Sequence, residues 1–552
     1  MLICPVIRIS ECEDHGERAG SLMKTKGKRS GPGTIGIVGS GATAAYLLKH
    51  LAAGGERLKI TVFESSDEPG FGMPYRPSDN ADFMLCNAFS REIPVIRTSL
   101  IDWLKTQPSH ELNEWELSRH DLSARAFYPR TLIGEFLHDQ FAALVDGMNR
   151  DGHSVSVLTN HRVEDLIPNG SHVKVRAVTP DGPVMREFDN VVLATGHSWP
   201  THPTIDDAEL VSPWPYTNMT KIPPGKIGVL GASLSAIDVV VTLGHTHGDF
   251  DERGATVSWK PNPDAKDLKV TMVSHMGIMP EGDFYYPFPY KPLRYLTKEA
   301  VKEEIARGAE NLLERVFELL VRELDESNPE YLDQLGDRSR TIAGFAEGYF
   351  RHRQEKGGLD AVKEDFEVVR QSMQDRTTIP HRYVLLRGHE EFDAALRHLN
   401  EHDWEIFTDH LMPVFADCYA AVPHLSLARI IALYDAGVLD IVPTGSNSSF
   451  SKEGSDGVRV QTEDEVLAFD AMIDARGQDS APLGELPFPS LTEQIVEPNE
   501  PVERPFAIEM AIRGTSRVYC LALPQVIERH PFSQGLANMN ELAEIVATDL
   551  LV

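Results

Sequence analysis

The chain has 552 residues, of which 41% are hydrophobic, 25% charged and 8% aromatic, an ordinary globular profile that argues against a rod, a collagen-like fibre or a largely disordered chain. Its 53 basic and 83 acidic side chains leave a formal charge of −30, a field that repels nucleic acid and anionic lipid, so neither is expected as a partner. Five scattered cysteines without a CxxC argue against a disulfide framework, a zinc ribbon or a CxxC redox pair, and no apolar run approaches the roughly 20 residues of a membrane-spanning helix.

Residues 1–33 read as a disordered N-terminal extension. The apolar start lacks a basic n-region and meets acids at Glu11, Glu13 and Asp14, a poor signal peptide, so a cytoplasmic location is expected. Met23 is an alternative start. Thr34 to Val38 then reads as a short buried strand, followed by Gly39-Ser40-Gly41-Ala42-Thr43-Ala44 and a helical run to Leu51. This is GxGxxA in the strand–turn–helix context that gives the motif meaning. Gly39 permits the tight turn, Gly41 lets the backbone approach a pyrophosphate, and Ala44 lets helix and strand meet closely. The helix N-terminus supplies N–H groups and positive dipole. A second strand, Leu58 to Phe63, ends at Glu64, placed to bind a ribose hydroxyl. The alternative is a glycine turn in another α/β fold.

Directly after Glu64 comes a second glycine-bearing loop, Ser65 to Tyr75, with Gly70 and Gly72, and then Met84-Leu85-Cys86-Asn87-Ala88. Here the chain resembles the two-dinucleotide FAD/NAD(P)-binding flavoproteins, whose members carry "E…PG.G..Y" and then "LLN" at this point. The resemblance implies that this stretch lies near the flavin. It adds Ser65, Gly70, Gly72, Tyr75 and Asn87 to the cofactor-binding candidates. Arg130, in Phe127-Tyr128-Pro129-Arg130, matches a family "F.PR" pattern. It reads as a ligand for a cofactor phosphate or an anionic substrate, with a structural ion pair as the equal alternative.

A first copy of "FD-x-hydrophobic-hydrophobic-x-A-x-G" follows at Phe188 to Gly196, and Leu193-Ala194-Thr195-Gly196 resembles the "LATG" linker of class B flavin monooxygenases. Next, Lys226 to Leu230 reads as a strand feeding Gly231-Ala232-Ser233-Leu234-Ser235-Ala236-Ile237-Asp238. That run resembles GxGxSAxD, the NADPH-binding turn of flavin-containing and N-hydroxylating monooxygenases, with Ser233 in place of the second glycine. A GxSxG nucleophile elbow fails, because the fifth position is Ser235. The next strand ends at His275, where the family often has Arg for the 2′-phosphate of NADPH. The resemblance implies NADPH, but without that Arg the choice of NADPH over NADH stays open, and NADH is not excluded.

Residues 281–425 read as a mostly α-helical insertion and substrate cap. Phe284 to Tyr290 reads as pocket lining, with a packed loop as the alternative. His398, Glu401, His402 and His410 read as a solvated helix face, and no metal is expected. The second "FD" copy runs from Phe469 to Gly477, with Arg476 where the first has Thr195. A last strand from Arg517 and a loop from Pro524 to Gln534 precede a helix beginning at Gly535 and Leu536. By resemblance, that helix points its N-terminus at the flavin, where its dipole stabilises an anionic reduced ring. His530, in the loop, is a candidate catalytic residue against a merely solvated histidine.

The expected fold is α/β, with two nested Rossmann-like dinucleotide-binding domains and the helical insertion. The FAD-binding domain takes 34–215 and 476–552, and the NAD(P)-binding domain 216–280 and 426–475. The resemblance implies an FAD-dependent, NAD(P)H-consuming monooxygenase whose flavin C4a-(hydro)peroxide oxygenates a small nucleophilic substrate, such as an amino-acid amine. Its partners would be that substrate and O2, with a homo-oligomer left open. Two alternatives stand: a reductase or dehydrogenase passing electrons to a partner, and a non-catalytic FAD-binding redox sensor.

Overall fold

A computed structural model describes residues 33–552 apart from 121, 254–255, 455–456, 497–503, 505 and 529. The N-terminal extension expected at 1–33 thus lies, except for Gly33, outside the described residues.

Two parallel sheets carry the two glycine motifs. The first has five strands in the order Arg517–Cys520, Asn190–Leu193, Thr34–Val38, Lys59–Phe63, Ser154–Leu158. The second has four, in the order Leu439–Pro443, Lys269–Ser274, Lys226–Leu230, Ala471–Asp474. Their central strands are apolar runs such as Ile35, Ile37 and Ile227, Val229, all buried, as expected of strands covered on both faces. Each central strand feeds its helix directly: Ala42–Ala53 in the first sheet and Leu234–His247 in the second.

The sequence repeat is a structural repeat. Before Asn190–Leu193 lies a three-stranded antiparallel sheet (Arg162–Pro168, Val173–Thr179, Gly182–Phe188). A matching one (Ser449–Glu453, Gly457–Gln461, Val466–Phe469) precedes Ala471–Asp474. The C-terminal helix Leu536–Leu551 then returns to lie along Ala42–Ala53, with Leu47, Leu48 and Leu51 sharing one core with Leu542, Ala543 and Val546.

Helices between Lys298 and Tyr419 form a separate core around Leu313, Phe317, Leu320, Phe345, Phe392, Phe407 and Phe415. The helix Leu312–Ser327 buries Leu313, Val316, Phe317, Leu320 and Leu324, an i, i+3, i+4, i+7 stripe, while Glu314 and Glu318 face out. Each fully buried side chain of this kind contributes about 1.5–3 kcal/mol relative to exposure. Two local expectations change. His398 and His402 do not share a helix, because Pro380–Leu396 ends before them and Asn400 caps a new helix at Glu401. A mostly helical reading of 281–425 also implies a break wherever proline interrupts it, but Pro413 sits in the first turn of Met412–Tyr419, directly after a π-helical turn at Phe407–Leu411.

Candidate functional site

The two glycine loops are held by the same four devices. In the first, the Thr34 N–H donates to Asp189 Oδ2 at 2.8 Å; in the second, the Lys226 N–H donates to Asp470 Oδ2 at 2.8 Å. The Phe188 ring packs under Gly36 and the Phe469 ring under Gly228, each so close that an added Cβ would stand 3.0 Å from ring carbon. The loop N–H groups are tied back alike, Gly39 to the Phe63 carbonyl and Gly231 to the Val273 carbonyl, both at 2.8 Å. Gly39 (φ 97°) and Gly231 (φ 127°) take a backbone conformation that disfavours side chains. Any Cβ there would also collide with the carbonyl of Ala194 or Ala475.

The third position separates the loops. Gly41 has an ordinary φ of −67°, so it is there for space: a Cβ would meet the Gly72 Cα at 3.2 Å. Ser233 stands at the same helix-capping position with φ −96°; its side chain is exposed and, among the described residues, makes no cap bond. Serine is thus compatible with this turn. Beyond it, Ala232 is buried, and Leu234 and Ser235 begin the helix half-buried.

Around the first loop, the predicted residues converge. Ala42, Thr43 and Ala44 open the helix, with Ala44 fully buried against the sheet. Glu64 is 6% exposed and fully engaged. Its Oε2 accepts from the Ser40 hydroxyl at 2.5 Å and the Ser40 N–H at 3.2 Å. Its Oε1 accepts from the Ser65 hydroxyl at 3.3 Å and from the Ser66 N–H and hydroxyl at 2.9 Å each, with Arg76 at 3.6 Å. Burial pushes this carboxyl up, but the Ser40 and Ser66 donors and Arg76 outweigh it and hold it below the usual range. It is an ionised acceptor already in place, and a ribose hydroxyl would exchange with one of these donors. The Gly70 N–H donates to Ser40 Oγ at 3.0 Å, closing the second glycine loop onto the first. The Tyr75 backbone tucks against Gly134 of the helix Arg130–Arg150, and Asn87 lies half-buried beyond it.

Just past the strand ends, Thr195 is exposed; at Gly196 and Gly477, and at Gly535 before the last helix, an added Cβ would meet no atom within 4 Å among the described residues. Gly196 and Gly477 are thus open positions next to the segments that touch Gly39 and Gly231. Arg476, where the first copy has Thr195, folds back on Asp474 with two parallel bonds of 2.8 Å. Gly535 caps the last helix without any side-chain bond. His275 ends its strand exposed, with Nδ1 3.1 Å from the Gly445 carbonyl.

Arg130 departs from a pure phosphate ligand. Its Nη2 lies 2.7 Å from Asp238 Oδ2, an ion pair joining the helix Arg130–Arg150 to the second glycine helix. Burial pushes the Asp238 carboxyl up to about 6 even against Arg130. His197, between the loops in sequence, is pushed down to about 4 by burial and Arg130, so it is neutral near pH 7. The His197 Nδ1 and the indole nitrogens of Trp199 and Trp214 are buried without a hydrogen-bond partner among the described residues.

His530 lies 3.4 Å from Asp393 Oδ2 on the helix Pro380–Leu396. Two residues on, Phe532 is 4% exposed and packs against His389 and Phe415. The C-terminal loop is therefore plugged into the helical core. The aromatic stretch is packed more than it lines a pocket: Phe284 and Tyr286 join Phe89 and Tyr383 in a small core, and only Phe288 is well exposed, at 37%.

Sequence reading missed the clamp by Asp189 and Asp470. The repeated "FD" was visible, but its partners are backbone N–H groups of strands far away in the chain. Arg76 toward Glu64, and Asp393 toward His530, have no sequence signal at all.

Residues 36–198 match a family described as FAD-NAD(P)-binding, so this part of the chain is an FAD/NAD(P)-binding domain. Residues 297–419, the helical region, match a family described as YdhS-like middle domain. Across 518 residues the chain is 35% identical to a protein of Escherichia coli (strain K12) described as "Uncharacterized protein YdhS", covering 93% of this chain and 96% of that one. Among solved structures, it is similar to an ornithine N-hydroxylase of Kutzneria sp. 744 (16% identity, 94% of this chain, 99% of that one, TM-score 0.48). It is also similar to an L-lysine 6-monooxygenase of Pseudomonas syringae (15% identity, 94% and 99%, TM-score 0.45).

Proposed function

From the premise that the chain belongs to the same family as the YdhS protein of Escherichia coli, we propose that it is an FAD-dependent, NAD(P)H-consuming monooxygenase acting on a small nucleophilic substrate, with an amine as the specific reading. The observation that carries this is the duplicated glycine-loop architecture. Two loops built with the same clamps, linked by one ion pair, suit one chain that binds two dinucleotides. The residues fit FAD at the first loop: Gly41 and Gly72 leave no side chain where a pyrophosphate would approach, and Glu64 is an ionised acceptor for a ribose hydroxyl. NAD(P)H at the second loop would meet the exposed Ser233 hydroxyl and the free first-turn N–H groups of Leu234–His247.

When bound, FAD supplies hydride acceptance and oxygen activation. The chain supplies the rest. Ser40 and Ser66 orient the Glu64 carboxylate, and Gly70 fixes Ser40 in turn. Arg130 holds Asp238 and with it the second helix. The uncapped N-terminus of Leu536–Leu551 offers positive dipole to negative charge arising near it. His530 and Phe532 anchor the loop before that helix to the helical region, which puts His530 in a positioning role in this reading.

The test is coupled turnover. NAD(P)H oxidation and O2 uptake are followed over a panel of small amines, with hydrogen peroxide measured in parallel. The proposal expects one class to stimulate oxidation while peroxide falls well below the NAD(P)H consumed. Peroxide equal to NAD(P)H with every substrate would favour the reductase reading instead.

A further inference from the structure

Residues Met84 to Arg91 run antiparallel to residues Ala124 to Arg130. The Arg130 N–H donates to the Met84 carbonyl at 2.8 Å and the Cys86 N–H to the Tyr128 carbonyl at 3.0 Å. At the far end, the Ser90 N–H donates to the Ala126 carbonyl at 3.2 Å and the Arg91 N–H to the Ala124 carbonyl at 3.1 Å. Those last two bonds set Arg91 and Arg125 across from each other on one strip. Its opposite end, Arg130, reaches the second glycine helix through Asp238.

Against this end of the strip lies the arm Asp283 to Tyr290. The Arg91 guanidinium sits 3.8 Å over the Phe288 ring and that of Arg125 4.7 Å over the Tyr285 ring. Arg125 Nη2 donates to the Tyr286 carbonyl at 2.6 Å. Arg125 Nη1 and Arg91 Nε are buried without a hydrogen-bond partner, and neither arginine has a carboxylate within 4 Å among the described residues.

Among the described residues, the nearby acids make no direct ion pair with either arginine. Glu92 is spent on other donors: Oε1 accepts from the hydroxyls of Tyr286 at 2.7 Å and Tyr290 at 2.6 Å, and Oε2 from the Phe89 N–H at 2.9 Å. Asp283 is 4% exposed, and burial together with Glu92 pushes its carboxyl well above the usual range. Two half-buried like charges stand together, backed by aromatic faces, with one donor of each unpaired among the described residues. A guanidinium fork in such a setting matches a planar oxyanion in two-point contact.

We infer that Arg91 and Arg125, framed by Tyr285 and Phe288, form a subsite for the oxyanion of the small-molecule substrate, a carboxylate or a phosphate. The substrate in question is the one in the monooxygenase reading above, on which this assignment rests. Substrates would then be anionic at one end. The nucleophilic atom to be oxygenated lies elsewhere in the molecule, and Phe288 favours an apolar or aromatic group next to the anion.

Binding is tested without turnover. Benzoate and inorganic phosphate are titrated separately into the full-length FAD-loaded protein by calorimetry, at fixed ionic strength and without NAD(P)H. The inference expects saturable binding of at least one probe; tighter benzoate assigns a carboxylate and tighter phosphate a phosphoryl group. Arg91→Gln and Arg125→Gln should each weaken that binding about tenfold or more. Arg253→Ala, a surface control, should leave it unchanged. Among the described residues Arg91 makes no side-chain hydrogen bond, so its variant keeps the test readable where Arg125→Gln disturbs the arm. No saturable binding of either probe, or unchanged affinity in Arg91→Gln, overturns the subsite. Because neither NAD(P)H nor turnover is involved, that failure is separate from a failure of the monooxygenase reading, which coupled turnover reads.

Discussion

The two glycine-loop halves share a skeleton and differ at the places that meet a ligand. Both use an aspartate to hold the first strand, a phenylalanine under a strand glycine, and a positive-φ glycine against an alanine carbonyl. In the first half the third loop position is packed against a second glycine loop, and the acid at the next strand end is buried and saturated. In the second half the same position is an open serine, the next strand ends at an exposed histidine, and the last strand ends in an arginine folded onto Asp474. The difference teaches that the clamp fixes the turn, while third position and strand ends decide what the turn holds. A closed, pre-arranged first half suits a resident cofactor. An open second half suits a nucleotide that comes and goes.

The sharpest test is at the shared skeleton. Gly39→Ala and Gly231→Ala each impose a disfavoured φ and a collision with a carbonyl, so each should cost at least about 2–3 kcal/mol. Thermal melts and bound-FAD content separate the halves: Gly39→Ala should strip FAD, while Gly231→Ala should spare FAD and abolish NAD(P)H binding. Equal loss of FAD in both would break the comparison.

A smaller effect is expected at the clamps. Asp189 is half-buried and also accepts from the Thr34 hydroxyl at 3.1 Å, whereas Asp470 is exposed. Asp189→Ala should cost about 1.5–3 kcal/mol and Asp470→Ala less, by urea denaturation.

Smaller still is a pH effect at the link between the halves. Asp238 binds its proton more tightly folded than unfolded, so its contribution favours the fold at low pH and is lost as pH rises toward about 6. His197 has the opposite sign: its folded value of about 4 lies below the unfolded one, so its contribution is lost as pH falls from about 6.5 toward about 4. Asp238→Asn removes the opposing contribution and should steepen the loss of stability on acidification through that window. His197→Asn should flatten it. Melting temperatures from pH 4 to pH 7, compared with the parent, read both.

The least effect is expected for Ser233→Gly. Its φ of −96° needs no glycine and its side chain is exposed, so stability should change by about 1 kcal/mol or less. A change in NAD(P)H affinity beyond a few-fold would show that the serine hydroxyl contacts the nucleotide.

Much of the skeleton was legible in the sequence because it is local. A strand, a glycine turn and a helix occupy consecutive residues, and the "FD" pair repeats with its glycine at a fixed offset. The helical region was legible as helices, since the stripe of Leu313, Phe317, Leu320 and Leu324 has helical period. What was not legible joins distant segments. Arg130 matched a pattern, but its partner Asp238 is set by how two domains meet. Phe284 to Tyr290 looked like pocket lining because aromatic runs look alike whether packed or open; only the contacts with Phe89 and Tyr383 distinguish them. The pairing of Arg91 and Arg125 depends on a ladder between loops that no periodicity announces.

The central claim is that one chain holds FAD at the Gly39 loop and receives hydride from a nicotinamide nucleotide held at the Gly231 loop. Anaerobic rapid mixing of the FAD-loaded protein with NADPH, and separately with NADH, tests it most directly. The account predicts loss of the oxidised flavin absorbance with at least one of the two, saturating with nucleotide concentration and abolished by Gly231→Ala in protein that still carries FAD. Flavin that stays oxidised with both nucleotides would contradict it.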